Sequence, residues 1–308
     1  MNNIFIYNND IDGLQFGSSS VSKVYFGSNL VYEDTPNYLN FTARNGDATI
    51  GMNGSASPNV SYSFDGTNWT TWDYSNITIP NGSTLYVKGN NSSGFSTSTS
   101  SYKMFTMSGT IEANGNIMSL LYGDEFEDEL TISSNYCFCY LFSGCTSLTA
   151  APELPATTLT EYCYKNMFID CTSLTYAPQL PATTLTTQCY QEMFRGCTSL
   201  IQAPQLPATT LTSSCYRSMF SGCTSLTSAP ELPATTLETG CYNQMFNGCT
   251  SLNYIKAMFT TTPSTSYTSS WVRNVAATGT FVKNSAATWT TTGNSGVPNN
   301  WTIQTASS

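Results

Sequence analysis

The segment CTSLTSAPELPATTL, residues 223–237, recurs almost unchanged at 145–159, 171–185 and 197–211. Cys145, Cys171, Cys197, Cys223 and Cys249 are each 26 residues apart, and so are Cys137, Cys163, Cys189, Cys215 and Cys241. Phe142, Phe168, Phe194, Phe220 and Phe246 keep the same step, as do Leu148, Leu174, Leu200, Leu226 and Leu252. A strict period of this length belongs to chains that stack one short structural unit per repeat. One copy cannot stand alone. It buries about eight large side chains at roughly 1.5–3 kcal/mol each, whereas ordering its backbone costs on the order of 1–2 kcal/mol per residue. Stacking turns each buried position into a continuous row and pairs backbone groups between neighbours. A right-handed solenoid is therefore expected over about residues 115–260.

Within a copy, Leu226 and Leu232 are expected to point inward from an extended segment, with Leu237 inward from a second one. Pro230 and Pro233 exclude helix there, and Pro230 cannot donate to a ladder, so the parallel sheet is expected to be irregular near it. The segment CYNQMFNG has room for about two helical turns, with Cys241, Met245 and Phe246 on one side. Gly248 ends it in the left-handed conformation. Gly144, Gly196 and Gly222 repeat that role, and Asp170 stands in for glycine in one copy.

All eleven cysteines lie in 137–249. Equivalent cysteines in stacked coils sit about 4.8 Å apart with parallel side-chain vectors, whereas a disulfide needs Cβ atoms near 3.8 Å and turned together. Bridging along a row and zinc binding are the alternatives. With no histidine and no C-x2-C, the cysteines read as buried free thiols acting as small hydrophobes.

The flanks differ. Residues 1–35 form a separate module in which Val24, Tyr25 and Phe26 precede a Gly27-Ser28-Asn29 turn and Leu30, Val31 and Tyr32 follow it, a hairpin pattern. IFIY upstream can add a strand. Residues 36–105 carry short alternating strands with turns at Asp65-Gly66 and Asn81-Gly82, which fits a small immunoglobulin-like β-sandwich. Residues 106–260 hold the lead-in and the repeats. DEFEDE, 124–129, reads as a solvated capping loop rather than a calcium loop, since its acids lack the alternate spacing and Gly turn. Residues 261–308 break the period and read as a C-terminal β cap, with stacking of carbohydrate on its tryptophans as a minor alternative. The fold class expected is mainly β with short helices.

The chain has net charge −9 with ten Lys and Arg in total, which suits no nucleic-acid backbone. Its apolar runs are far too short to span a bilayer, so no membrane insertion is expected. The opening MNNIFIYNND shows no secretory signal. Absence of histidine removes the commonest general base and metal ligand. Glu153 and Glu231 are of glycosidase type, but three copies separate them, roughly 14 Å by strand spacing. No enzyme, cofactor or metal is expected.

The motif CYxxMFxGCTSLTxAPxLPATTL resembles the BspA-like leucine-rich repeats of gut Bacteroidetes surface proteins and of their bacteriophages. NIMSLLYGDEF and GTFVKNSAATWTTTGNSGVPNNWTI are similar to the flanks of such arrays, and VSKVYFGSNLVYE is similar to N-terminal segments of phage virion and fibre proteins. The resemblance implies adhesion and ligand display, with no catalytic residues to carry over. It points to a virion fibre or decoration protein assembled in the host cytoplasm. The alternative is a bacterial cell-surface adhesin, which needs an export signal and an anchor.

Contact residues are expected at repeat positions that change between copies. One row is Ala150, Tyr176, Gln202, Ser228, Tyr254; a second is Glu153, Gln179, Gln205, Glu231; a third is Lys165, Gln191, Arg217, Asn243. The ligand class is a host surface protein or glycan. Val24, Tyr25, Phe26, Leu30, Val31 and Tyr32 are too apolar for a lone hairpin in water. They are expected to join a capsid or tail protein, or to make a homotrimer.

Overall fold

The computed structural model describes residues 36–306, together with the backbone of four strands nearer the N-terminus. The chain divides into two compact units, Met1–Asn37 and Tyr38–Ser308. In the first, β1 (Leu14–Phe16) pairs antiparallel with β2 (Ser19–Val21), and β3 (Lys23–Phe26) with β4 (Asn29–Glu33). The β3–β4 pair is the hairpin read from the sequence, with Val24 opposite Tyr32 and Tyr25 opposite Leu30. The side chains expected to mediate assembly, and the strand expected at IFIY, lie outside the described residues.

The second unit is mainly β. It begins with β5 (Leu39–Asn53), β6 (Val60–Ser63), β7 (Thr70–Thr71), β8 (Ile77–Ile79), β9 (Thr84–Gly89) and β10 (Met104–Asn114). Leu39, Phe41 and Ala43 are buried in the first half of β5, and Ala48, Ile50 and Met52 in the second. The buried parity switches because Asn45 and Gly46 take positive φ, 61° and 131°. Gly109 (φ 81°) sits at the matching irregularity of β10. The bend lets one strand serve two neighbours: Leu39–Thr42 pair with β9 and Ala48–Ile50 with β8.

The boundary expected at 105/106 falls inside β10. That strand pairs antiparallel with β5 on one edge and parallel with β11 (Leu148–Ala150), from the first repeat copy, on the other. Sheet and repeats share backbone hydrogen bonds, so no linker separates them.

The segments expected to be helical are not. The described helices are one turn, α1 (Ser119–Tyr122), and a 3-10 turn, Gly123–Glu125, both before the first copy. In the repeats the chain instead takes positive φ every fourth residue, at Tyr162, Asn166 and Asp170 in one copy and Gln188, Glu192 and Gly196 in the next. Backbone N–H groups then alternate in use. Those of Tyr164, Asn166 and Phe168 donate to Cys189, Gln191 and Met193 of the following copy. Those of Lys165, Met167 and Ile169 close local turns onto Tyr162, Tyr164 and Asn166. Beyond its first turn an α-helix spends every N–H within its own segment; here alternate N–H groups along the whole segment join one copy to the next.

Side chains stack in the same register. Phe142, Phe168, Phe194 and Phe220 lie face to face at centroid distances of 5.2, 5.5 and 5.8 Å. Tyr164, Tyr190, Tyr216 and Tyr242 form a second file at 5.8, 5.9 and 6.1 Å. All eleven cysteines are buried free thiols. Cys171, Cys197, Cys223 and Cys249 each donate S–H to the carbonyl of a phenylalanine one copy back, at 3.0, 3.1, 3.1 and 2.9 Å. A small, apolar residue with one weak donor fits that site. In the second to fourth copies the prolines leave the extended segments with isolated bridges, such as Tyr176 to Gln202, in place of paired strands.

The repeated motif ends near 260, but its register continues. Gly240, Tyr242, Gln244, Phe246 and Gly248 donate to carbonyls of Ser266, Tyr267, Ser269, Trp271 and Arg273, as the preceding copies do to theirs. β12 (Tyr254–Ala257) pairs parallel with β13 (Thr280–Lys283), again 26 residues on, and β13 with β14 (Thr302–Thr305). Trp271, Trp289 and Trp301 are buried, and each indole N–H donates to a carbonyl: Gly296, Phe259 and Ala276. They close the end of the core and offer no stacking surface to carbohydrate.

Candidate functional site

The extended segment of each copy is pinned at both ends. Leu174 and Leu180 are buried in the second copy, Leu200 and Leu206 in the third, Leu226 and Leu232 in the fourth. Between each pair the chain is too short to form its own core, and the residue two after the first leucine and the residue before the second turn outward. These are the two rows read from the sequence: Ala150, Tyr176, Gln202, Ser228 and Tyr254, and Glu153, Gln179, Gln205 and Glu231; all are exposed except Ala150, which is half-buried at the end of β11.

The structure brings the rows together across copies. Tyr176 bridges to Gln202 and Ser228 to Tyr254, both parallel. Glu153 is held from the other side: its N–H donates to Gly115 at 2.8 Å, and its carbonyl accepts from Ile117 at 3.2 Å. Two slots open between neighbouring copies. The first, about 210 Å³, is walled by Pro152, Pro155, Pro178 and Pro181 and carries Glu153 and Gln179. The second, about 260 Å³, is lined by Ile201, Gln202, Gln205, Pro230 and Glu231. Each slot sets one glutamate beside one glutamine from the same repeat position. Tyr254 lines neither slot; it stands on β12 beside Ser228.

Tyr176 is 57% exposed, Ile201 46% and Tyr254 37%, the large apolar side chains displayed on this face. Ile201 was not singled out by sequence reasoning. Its signal is the substitution of Ile for the Thr of SLT in the third copy alone. Lys256 was also missed: its Nζ lies 2.9 Å from Glu231 Oε1.

The third row separates. Gln191 is buried, its Nε2 donating to Glu192 at 3.0 Å, and Asn243 Oδ1 accepts from the Ser269 N–H at 2.6 Å. These two serve packing, while Arg217 is exposed and Lys165 half-buried beside the Tyr162 ring.

A further cleft of about 340 Å³ lies where β9 meets the 3-10 turn, lined by Asn59, Ser61, Lys88, Tyr122, Asp124 and Glu125. Asp124 is not simply solvated, as the capping-loop expectation has it. Asp124 Oδ1 accepts from Lys88 Nζ at 2.5 Å and from the Tyr38 hydroxyl at 2.6 Å. These donors hold the Asp124 carboxyl below its ordinary value. Lys88 also lies 4.2 Å from the Trp69 ring.

Glu153 and Glu231 are three copies apart, at steps of 5.2–5.8 Å along the phenylalanine file. Among the described residues no three acidic, Cys or His side chains are grouped to hold a metal ion, and no helix is long and apolar enough to cross a membrane. No family model, curated protein or solved structure matches the chain.

Proposed function

We propose that the chain is a non-enzymatic structural protein of a bacteriophage virion, a fibre or decoration protein that presents a BspA-like leucine-rich-repeat solenoid to the host surface. The observation that carries this reading is the contrast within each copy. Buried positions repeat almost without change, while the exposed row Tyr176, Gln202, Ser228, Tyr254 differs at nearly every step. A scaffold needs the first and a recognition surface needs the second.

In this reading β5–β10 form an immunoglobulin-like module that seats the first coil. Residues 1–35 are the attachment module, joining a capsid or tail protein or a trimer of this chain by strand addition. The basic residues are too few and too dispersed for nucleic acid. Mass spectrometry of purified virions tests the assignment directly. The chain is expected among the virion proteins, and the purified protein is expected to label the cells those virions infect. Its absence from virions of a phage that encodes it overturns the proposal.

A further inference from the structure

The sequence contains five Asn-Gly steps, at Asn45, Asn53, Asn81, Asn114 and Asn247. In such a step the glycine nitrogen can attack the asparagine side-chain carbonyl carbon, and glycine has no Cβ to shield that nitrogen. In a folded chain the outcome depends on where the glycine N–H points, because reacting atoms must be held about 3–3.5 Å apart.

Four of the steps are held away from reaction. Gly46 donates its N–H to Asn81 Oδ1 at 3.1 Å, Gly82 to the Ala43 carbonyl at 2.9 Å and Gly248 to the Arg273 carbonyl at 2.8 Å. Gly115 is buried, and its carbonyl accepts from the Glu153 N–H at 2.8 Å. Asn53 differs, since its own Oδ1 accepts from the Gly54 N–H at 2.7 Å. Both residues are exposed, so water reaches them.

The surrounding loop is braced. The Gly54 carbonyl accepts from Lys103 Nζ at 3.1 Å, Ser55 Oγ donates to the Ser100 carbonyl at 2.9 Å, and the Ala56 N–H donates to the Tyr102 carbonyl at 3.0 Å. Gly54 has φ 114°, a conformation that L-residues avoid. It packs directly on the neighbouring chain, with the Tyr102 carbonyl oxygen 2.3 Å from where a Cβ would lie. Lys103 is 5% exposed. A cation fixed on this residue favours the negative charge that gathers on the nitrogen and on Oδ1 during attack.

From this geometry we infer that Asn53 is a site of spontaneous deamidation in the folded protein, with water as the only co-reactant. Gly54 N gives its proton to water, and a turn about χ2 brings Cγ onto the nitrogen. The N–Cγ bond forms, the Cγ–Nδ2 bond breaks, and ammonia leaves with a proton returned by water, giving a succinimide ring. Water then adds to one of the two imide carbonyls. Opening on one side gives aspartate; opening on the other gives isoaspartate, in which the main chain runs through Cγ. Each event adds one carboxylate at the end of β5, opposite Met104 of β10. The inference uses the folded geometry alone and is independent of the adhesion reading.

The test holds the full chain in mildly alkaline buffer, folded or in urea, with samples taken over time. Peptide mass spectrometry follows the mass gain from exchange of NH2 for OH at each of the five asparagines, and isoaspartyl methyltransferase labelling marks the isoaspartate. In folded protein Asn53 should react about tenfold or more faster than any of the other four. In urea that lead should collapse, because only the local sequence then acts. Asn53→Gln should abolish the fast release of ammonia, since closure would need a larger ring, and a thermal melt checks that the variant stays folded.

If folded Asn53 reacts no faster than Asn45 or Asn81, the contact with Gly54 does not prime it and the inference fails. A lead that persists unchanged in urea overturns it too, because sequence rather than fold would then set the rate. Fast ammonia release that survives Asn53→Gln places the reaction at another residue and has the same consequence.

Discussion

Phe105 of β10 stacks on Phe142 of the first copy at 5.2 Å between centroids, with 25° between the ring planes. The phenylalanine file therefore begins in the sheet that precedes the repeats. Cys145 confirms the register: its S–H donates to the Phe105 carbonyl at 3.3 Å, the place that phenylalanine carbonyls fill in later copies. A stack of coils has an exposed first face, and here β10 covers it.

Phe105→Ala should destabilise the second unit by about 3–5 kcal/mol, the range for truncating a fully buried phenylalanine. Phe41 packs edge-on against Phe105 at 4.9 Å, so the cavity would open on both sheet and stack. Urea denaturation monitored by circular dichroism measures the loss. A change below about 1 kcal/mol would mean that sheet and stack do not depend on this contact.

Interior copies should be removable. Deleting residues 171–196 places Asp170 before Cys197 and brings Phe168 to Phe220, positions that already face equivalent partners. The product should be folded and soluble, with a somewhat lower melting temperature, as expected when one nearest-neighbour interface is lost. Aggregation with loss of β circular dichroism would show that the copies are not interchangeable.

The stacking period and its buried rows were legible because the same residues recur at 26-residue steps, and a repeated burial pattern has few solutions. The conformation of CYNQMFNG was not. Its apolar spacing fits a helix, but the backbone spends alternate N–H groups on the next copy, and this depends on a neighbour that local pattern does not reveal. The continuation of the register to Thr280 was hidden for the opposite reason: the backbone keeps the period after the side chains abandon it. At the candidate site, outward positions followed from the buried leucines on either side. The slots did not, because they form only where two copies meet.

Left-handed positions should respond to substitution in opposite senses. Ser214 has φ 54°, and the corresponding residue of the next copy is Gly240 at φ 67°. Ser214→Gly should gain about 0.5–1 kcal/mol, the left-handed strain of an L-residue less the extra entropy of glycine. Gly222 has φ 78°, with its nearest neighbour for an added Cβ at 3.7 Å. Gly222→Ala has space, so its cost is conformational, about 0.5–1 kcal/mol once the entropy saved by replacing glycine is set against the left-handed strain. Paired melts of the two variants check both signs.

The thiols should be unreactive while the protein is folded. Burial pushes Cys137, Cys139 and Cys145 up to about 12, and Cys215 up to about 11. The thiolate is the nucleophile, so little of it exists at neutral pH. Native protein should react with a disulfide reagent only at the rate of unfolding, and denatured protein should titrate all eleven. Fast reaction of several thiols in native protein would contradict their burial.

Asp124 links the sheet to the start of the stack and should make the junction acid-sensitive. Hydrogen bonds from Lys88 and Tyr38 lower its carboxyl from the ordinary value of 3.8. A carboxyl with a depressed folded value contributes stability above its ordinary value and loses it as pH falls through the folded one. Tyr38 acts at the other extreme. Burial, then the hydrogen bond to Asp124, raises its hydroxyl above 10, so its contribution is present below 10 and lost as pH rises through the raised value. Asp124→Asn should therefore be less stable than the parent chain across neutral pH. The gap should begin to narrow near pH 3.8 and close only as pH falls through the lowered folded value, where the parent carboxyl also takes up its proton. The side chain is 62% exposed, so solvent screening keeps the effect small. Urea melts of both proteins over an acid series give the measurement. A gap independent of pH would mean that the Asp124 charge contributes nothing and that only shape matters at the junction.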